Sequence, residues 1–529
     1  MPDYLNENVS SKGCKDYSIL CGNSEYKGVE KIVNLDCDFK IMSSLKRIVD
    51  KVMSIPLGAR SAVVYTAATV FSRGLAIITI PIFTRIMSTE QIGIVNLYNS
   101  WHGLISVVAT LSLTSGGFAV AMKEYEGKRD EYISSIQTLT SLVALIIAIT
   151  YFIAPSFWDN TLGLPTSLMI LMLFGFLVEP ARDFWMSKQR YEYKYIVPGA
   201  VSMISALAAS VLSVVIVLKM DYEGADNLAE GRLFANYFIL FGVAFIIWVY
   251  QFAKGKTFVN KEYWKFSLRL SIPLIGYQFA AQILSVSDRM MIDKMVDKSA
   301  VGIYGTLYAV SSISLLVWNA INASFVPYLF QNVEKKDHKI KEISFGLLEA
   351  YAAIAVMLTF MAPEIVKVLA TKEYYDAIYI MPPISAGIFF TSVAHLYSNI
   401  LVYYKRTEYV MYGSFVAAIL NIVLNAIFIP LYGYYAAAYT TLIGYVVMAL
   451  IEAIWAIKIH RKVTGSKNSI YSDKKIVFLS VGTIVLTMSG IIWYKNDILR
   501  YVVTLLSIVA SIVFVRKMIN DKKRNRDNK

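Results

Sequence analysis

Apolar segments of about 20 residues recur along almost the whole chain after residue 57. As an α-helix, a segment of that length spans roughly 30 Å, the thickness of the hydrocarbon core of a bilayer. Only 17% of the residues are charged, against about 25% in a soluble globular protein. The sequence therefore predicts an all-α polytopic membrane protein, and the net charge of +13 is better explained by one basic membrane face than by nucleic-acid binding.

Fourteen transmembrane helices are predicted from apolar length. No stretch between them is large enough for a catalytic domain, so we expect any binding site to lie between helices. The predicted spans are 61–84, 93–120, 133–155, 165–187, 196–219, 232–252, 270–292, 300–328, 343–366, 376–402, 409–430, 433–457, 476–494 and 499–515.

Lysine and arginine are concentrated in alternate loops, which indicates the orientation of the chain in the membrane. Of the intervening loops, 155–164 contains no basic residue and 220–231 is acidic, although 294–298 and 367–372 contain lysines. The alternation predicts that both termini are cytoplasmic. The basic loops lie near residues 46–60, 123–129, 188–194, 254–265, 335–341, 405–406 and 458–475.

Two stretches about 210 residues apart share a pattern that predicts an internal repeat. In each, a basic residue, Arg85 or Lys294, stands seven residues before a β-branched-Gly-Ile triplet, Ile92–Ile94 or Val301–Ile303. Six predicted helices separate the two stretches, and an even number keeps both copies in the same orientation. The repeat therefore predicts two parallel six-helix lobes, with a substrate site at their interface.

The repeat divides the chain into a predicted N-lobe at 58–253, with helices 1–6, and a C-lobe at 254–458, with helices 7–12. Helices 13 and 14 follow at 459–515, and residues 516–529 form a basic cytoplasmic tail. Residues 1–57 are polar, contain the three cysteines and lack the apolar core of a secretory signal. We expect either a disordered or loosely helical cytoplasmic extension with free thiols, or an artefact upstream of a start at Met42.

Four stretches, together with the fourteen-helix pattern, carry a resemblance to a known superfamily. They are Ile80–Ser88, Ser287–Arg289, Val301–Tyr304, and Asn421–Asn425 with Tyr432–Ala438. Over about residues 58–515 the chain resembles the multidrug/oligosaccharidyl-lipid/polysaccharide exporter superfamily, and within it the Wzx-type flippases of O-antigen or capsule repeat units.

The resemblance implies a function. It implies that undecaprenyl-pyrophosphate-linked glycan units are flipped from the cytoplasmic to the outer leaflet of a bacterial cytoplasmic membrane by alternating access. It implies no cofactor, and its candidate partners are a proton or sodium gradient, a polymerase and glycosyltransferases for surface polysaccharide biosynthesis.

Ionisable residues inside the predicted spans are the leading candidate site residues. A charge at membrane depth costs about 2.5–3.5 kcal/mol on insertion scales and normally faces a wet cavity or a partner. Arg73 lies near the middle of the first span, and Asp288 and Arg289 lie in the seventh. Adjacent residues point about 100° apart on a helix, so Asp288 and Arg289 are not expected to pair. Under the resemblance these arginines would meet the pyrophosphate, since guanidinium donates two parallel hydrogen bonds; a structural ion pair is the alternative.

Five further residues are predicted substrate ligands. Two are arginines near helix ends, where the side chain can reach the interface, and three are polar residues in the seventh and eighth spans that could bind sugar hydroxyls or bridge helices. They are Arg85, Arg269, Tyr277, Gln278 and Asn319.

Candidates for gating or ion coupling form a third group. Glu179, Arg182 and Asp183 fall within one helical turn, which predicts pairing of Glu179 with Arg182 and either a self-neutralised cluster or a gate. Glu349 and His395, like Glu452, are lone ionisable residues that either couple to an ion or are satisfied by neighbouring polar groups.

The sequence argues against enzymatic function. It has no phosphate-binding glycine loop, Ser/His/Asp pattern or metal-ligand cluster, so we expect neither catalysis nor a bound metal. Two alternatives stay open: a multidrug or cation exporter of the same fold, which the intramembrane arginines disfavour, and a membrane polymerase or ligase, which the short loops disfavour.

Overall fold

The computed structural model describes residues 57–114, 117–334, 339–465 and 468–509. It separates two units, Met1–Ala62 and Val63–Lys529, and residues 57–62 of the first unit are helical. The expectations for the N-terminal extension, its cysteines and the basic tail at 516–529 lie outside the described residues.

Every regular element within these ranges is a helix. We call α1–α8 the N-half. Its helices are α1 (Leu57–Ile86), α2 (Thr89–Ala109), α3 (Gly117–Glu124), α4 (Arg129–Ile153), α5 (Pro155–Leu162), α6 (Thr166–Tyr191), α7 (Ile196–Tyr222) and α8 (Leu228–Gly255).

We call α9–α16 the C-half, and two helices follow it. A 3₁₀ segment, Lys372–Ile380, precedes α14, and the last helix, α18, begins at 497 and is described through 509. The others are α9 (Lys261–Met295), α10 (Lys298–Ser312), α11 (Ser314–Asn332), α12 (Lys339–Phe360), α13 (Ala362–Leu369), α14 (Met381–Tyr403), α15 (Glu408–Tyr432), α16 (Tyr434–Thr464) and α17 (Asp473–Trp493).

Ten helical segments of the described chain are long and apolar enough to cross a membrane, or up to 12 if each bent pair counts as one span. The class of multi-pass helical membrane protein is therefore confirmed, while the predicted count of fourteen stays a prediction. The second predicted span is interrupted after Ala109. The predicted loop 155–164 contains the short helix α5, which meets α6, the fourth predicted span, at a bend of 94°. At that bend Gly163 adopts φ 67°, a common way to end a helix, and Pro165 follows.

Packing within each half positions the site. In the N-half, α8 packs against α6 and α7; in the C-half, α16 packs against α14 and α15. The main contact between the halves is made by α2, which packs against α10 and α9. By contrast, α1 packs loosely, since only 6% of its apolar window is buried, against 61% for the segment Lys298–Asn332.

Large apolar side chains are exposed along the outer faces of several helices. Examples are Ile204 on α7, Phe238 and Ile246 on α8, and Phe478 on α17. An exposed apolar surface of this extent is unfavourable in water and suits contact with lipid chains.

Candidate functional site

The two halves cross most closely at the glycines of the repeat. A methyl group added to Gly93 would lie 1.8 Å from the carbonyl oxygen of Lys298, and one added to Gly302 would lie 2.0 Å from that of Thr89. Lys298 stands four residues before Gly302, as Thr89 stands four residues before Gly93, so the contact is reciprocal. Small residues at such crossings let helix backbones approach directly.

The basic residues of the repeat reach across to the opposite half. Arg85 donates to the carbonyl oxygen of Val368 in α13 at 3.0 Å, as well as to Pro81 in its own helix at 2.7 Å. Lys294 donates to the carbonyl oxygen of Asn160 in α5 at 2.7 Å. We call the end of the bundle defined by Arg85, Gly93, Lys294 and Gly302 the closed end.

The helix α1 is held at its ends. Near its start, the Tyr65 hydroxyl donates to the carbonyl oxygen of Lys194 in the N-half at 2.8 Å, and Arg190 lies 5.1 Å from the Tyr65 ring centre. At its other end, the Thr84 hydroxyl donates to Leu369 of the C-half at 2.9 Å. The helix therefore connects the two halves.

Arg73 lies on the same side of α1 as Thr84, whose hydroxyl donates to the C-half. It stands eleven residues before Thr84, and residues so spaced project from nearly the same face of an α-helix. Its side chain is exposed, and no ion pair or hydrogen bond to it is found in the described part of the chain.

Arg289 is half-buried and forms no salt bridge with a carboxylate among the described side chains. Its guanidinium donates to the carbonyl oxygen of Ser285 at 2.8 Å and lies 4.4 Å from the centre of the Tyr308 ring. Neither contact supplies a negative charge, and the carboxylate that interacts with Arg289 through its charge is that of the adjacent Asp288.

Asp288 lies inside the C-half and is completely buried, with no salt bridge in the described ranges. Its carboxylate accepts hydrogen bonds from the Tyr304 hydroxyl at 2.6 Å, the Thr441 hydroxyl at 2.6 Å and the Asn425 amide at 2.9 Å. Its predicted contact with substrate would require the helices around it to separate. The geometry instead joins α9, α10, α15 and α16 around one buried charge.

The other predicted ligands are dispersed. Arg269 and Asn319 are exposed, and Tyr277 is half-buried. Gln278 accepts a hydrogen bond from the Ser112 hydroxyl at 3.2 Å, which links α9 to the segment after α2. Arg85 lies at the closed end, not beside Arg73, so the structure does not bring the predicted ligand set into one cluster.

Glu179 pairs with His102 of α2, with Oε2 and Nε2 3.0 Å apart, in place of the predicted Arg182. The two atoms are close but not aligned for a hydrogen bond, and the His102 ring stacks on Phe176. Sequence spacing could not reveal a partner on another helix. Arg182 is half-buried and Asp183 is exposed.

The lone ionisable residues of the C-half differ in their surroundings. Glu349 is exposed, whereas His395 accepts a hydrogen bond from the Trp318 indole at 3.2 Å and is satisfied by it. Glu452 is buried, and its Oε2 has no hydrogen-bond partner in the described structure. The described residues contain no group of three or more His, Cys, Asp or Glu side chains that could hold a metal ion.

The chain is similar to known membrane transport proteins. The family model described as "Polysaccharide biosynthesis protein" matches residues 59–333, just over half of the chain, and the MatE model matches 273–427. The probable low-salt glycan biosynthesis flippase Agl15 of Haloferax volcanii is 22% identical over 409 residues, which cover 75% of this chain and 82% of that protein.

Two solved structures show the same fold. The lipid II flippase MurJ, in an inward closed conformation, superposes with a TM-score of 0.61 at 16% identity, over 87% of this chain and 99% of MurJ. An inward-facing multidrug resistance transporter of the MATE family superposes with a TM-score of 0.56 at 15% identity, over 75% of this chain and 96% of that transporter. With more than half of its length matched by one family model, the chain belongs to the polysaccharide biosynthesis protein family, a family of flippases and transporters and not of enzymes.

Proposed function

We propose that this protein flips undecaprenyl-pyrophosphate-linked oligosaccharide repeat units from the cytoplasmic to the outer leaflet by alternating access. The observation that carries the proposal is the pair of arginines, Arg73 and Arg289, which stand within apolar helices and form no salt bridge with a carboxylate among the described residues. A lipid-linked pyrophosphate is the anion that such cations fit, and the glycan-flippase relative supports this substrate class.

The basic loops support an orientation for this proposal. The segment 188–194 is basic, and it receives the hydrogen bond from Tyr65 at the start of α1. This end is therefore cytoplasmic in the proposal, and the closed end, where α1 finishes, is the outer one. The structure then represents a state in which the substrate path is shut toward the outside.

Asp288 is the coupling group in this proposal. The Tyr304 and Thr441 hydroxyls and the Asn425 amide donate to its carboxylate, and the carboxylate and hydroxyl oxygens are ligands that suit a hard cation such as sodium. A proton would neutralise the same carboxylate. Either ion relieves the large free-energy cost of a buried, unpaired charge, so occupancy would depend on the ion gradient.

Alanine at Arg73 or at Arg289 should lower export of the lipid-linked glycan by tenfold or more at matched expression. Each change removes charge-assisted hydrogen bonds to a phosphate, which contribute about 1.5–3 kcal/mol each. The measurement is the amount of lipid-linked repeat unit retained in the inner leaflet, with Arg461→Ala, at an exposed arginine near the end of α16, as the matched control.

Several outcomes would contradict the proposal. Full surface glycan in both variants would remove the two arginines from the substrate path. Single repeat units accumulating outside would indicate a polymerase, and loss of cation resistance with normal glycan would indicate the multidrug exporter.

A further inference from the structure

We infer that Arg85 and Lys294 are a reciprocal pair of latches that hold the outer end of the protein closed, and that both must release before the path opens outward. The inference rests on the proposed alternating-access function. It assigns a positioning role to the basic residue of the repeat, which the proposed substrate path leaves without one.

The two latches have the same construction. Arg85 of the N-half binds Val368 in the last turn of α13, and Lys294 of the C-half binds Asn160 in the last turn of α5. Both receiving helices are eight residues long. Their last carbonyl groups lack intrahelical partners and carry partial negative charge, so a cation is stabilised there.

The residue before each latch contacts the same receiving turn. Thr84 donates to Leu369, next to Val368. Asp293 lies against Gly163, since a methyl group on that glycine would be 2.6 Å from a carboxylate oxygen of Asp293. Each copy of the repeat therefore contacts the opposite half through two consecutive side chains.

The glycine crossing brings the latches within reach. Gly93 and Gly302 let α2 and α10 touch backbone to backbone, and the hydroxyl groups of Thr89 and Ser299 lie 2.6 Å apart beside them. The crossing follows directly after Arg85 in the chain, and the same holds for Lys294. Each latch and the glycine crossing beside it therefore act together, and this arrangement occurs once in each half.

The latches are suited to repeated release. Their partners in the opposite half are neutral carbonyl groups, and both cations are exposed, so opening breaks no salt bridge between the halves. The carboxylate 3.8 Å from the Lys294 ammonium belongs to Asp293 of the same helix and moves with it. Arg500 offers a contrast, because it is buried and bound to Glu364 at 2.6 Å and also to Asp497. Breaking that buried ion pair costs considerable free energy. The cations of the latches, in contrast, can exchange their carbonyl partners for water at little cost in free energy.

Spin-label distances across the closed end test the inference independently of transport. Labels would be attached at Tyr222→Cys and Glu373→Cys, exposed positions of the two halves, with Cys14, Cys21 and Cys37 replaced by serine, in reconstituted liposomes. In the Arg85→Gln/Lys294→Gln double variant, we expect the population ratio of long to short spin-label distances to rise about tenfold. The ratio of each single variant should lie between that of the parent and that of the double variant.

Control variants separate the latch from net charge and from folding. Lys367→Gln removes the same charge beside Val368 but no contact between the halves, so the spin-label distances of this variant should match those of the parent. Arg85→Lys and Lys294→Arg keep a donor and should keep the short distance. An unchanged distribution in the folded double variant overturns the latch, whatever the export assay shows, whereas unimpaired export by the Arg73 and Arg289 variants overturns only the proposed function.

Discussion

Alanine at Gly93 or at Gly302 is expected to abolish glycan export. The new methyl group would lie 2.0 Å or less from a backbone carbonyl oxygen, and no rotamer change can relieve a contact with backbone. Overpacking of this kind typically costs about 1–3 kcal/mol, which is enough to separate the crossing helices and populate states open at the outer end. Export at matched expression and the spin-label distances described above measure both effects.

Two other helical glycines provide the control. Gly242 in α8 and Gly482 in α17 have nothing within 4 Å of an added methyl group. Alanine there should leave export unchanged and should stabilise the helix by about 0.5–1 kcal/mol, because glycine loses more backbone freedom on folding. Normal export by both crossing variants would show that close approach of α2 and α10 is not needed for transport.

The second large effect is expected at Asp288. Asparagine there keeps the shape of the side chain but removes its charge, so the protein should fold while losing its response to the coupling ion. For the parent, the melting temperature should rise with sodium or with protons, because a ligand that binds the folded state more tightly than the unfolded state stabilises the folded state. Asp288→Asn should abolish that rise and lower export at least about tenfold, equal to roughly 1.4 kcal/mol.

Alanine at the same position should behave differently from asparagine. It leaves the donors on Tyr304, Thr441 and Asn425 without their acceptor, at about 1–3 kcal/mol for each unsatisfied group, so it should unfold the C-half. Glu349→Gln, at an exposed carboxylate, is the matched control. An unchanged ion response in Asp288→Asn would exclude this carboxylate as the coupling group.

The class of multi-pass helical membrane protein was predictable, because the bilayer alone sets the length of the apolar segments and the charge of the loops. The interruption of the second predicted span was not predictable. The chain turns after α2 through Leu111 and Ser112, whose φ angles are 50° and 48°, and neither residue type signals such a turn. At the α5–α6 bend, the break near Gly163 and Pro165 was predicted as the loop 155–164, but the helix α5 within that loop was not predicted.

The candidate site was predictable only in part, because sequence spacing reports neighbours on one helix and not across helices. The repeat located Arg85 and Lys294, yet their partners are backbone carbonyl groups of distant segments, which no residue type reveals. The same holds for Glu179 and His102. Arg73 was recognisable because an arginine within an apolar span is rare wherever its partners lie.

Because α1 is attached at both ends, it holds its two attachment points at a fixed distance. Nineteen residues separate Tyr65 from Thr84, about 29 Å of helix that does not stretch. Under the proposed alternating access, rocking of the halves would not be absorbed along the length of α1: either the Thr84 hydrogen bond would break, or the Tyr65 end would move with the Thr84 end. In that proposal, a change at one end of α1 would be transmitted to the other end.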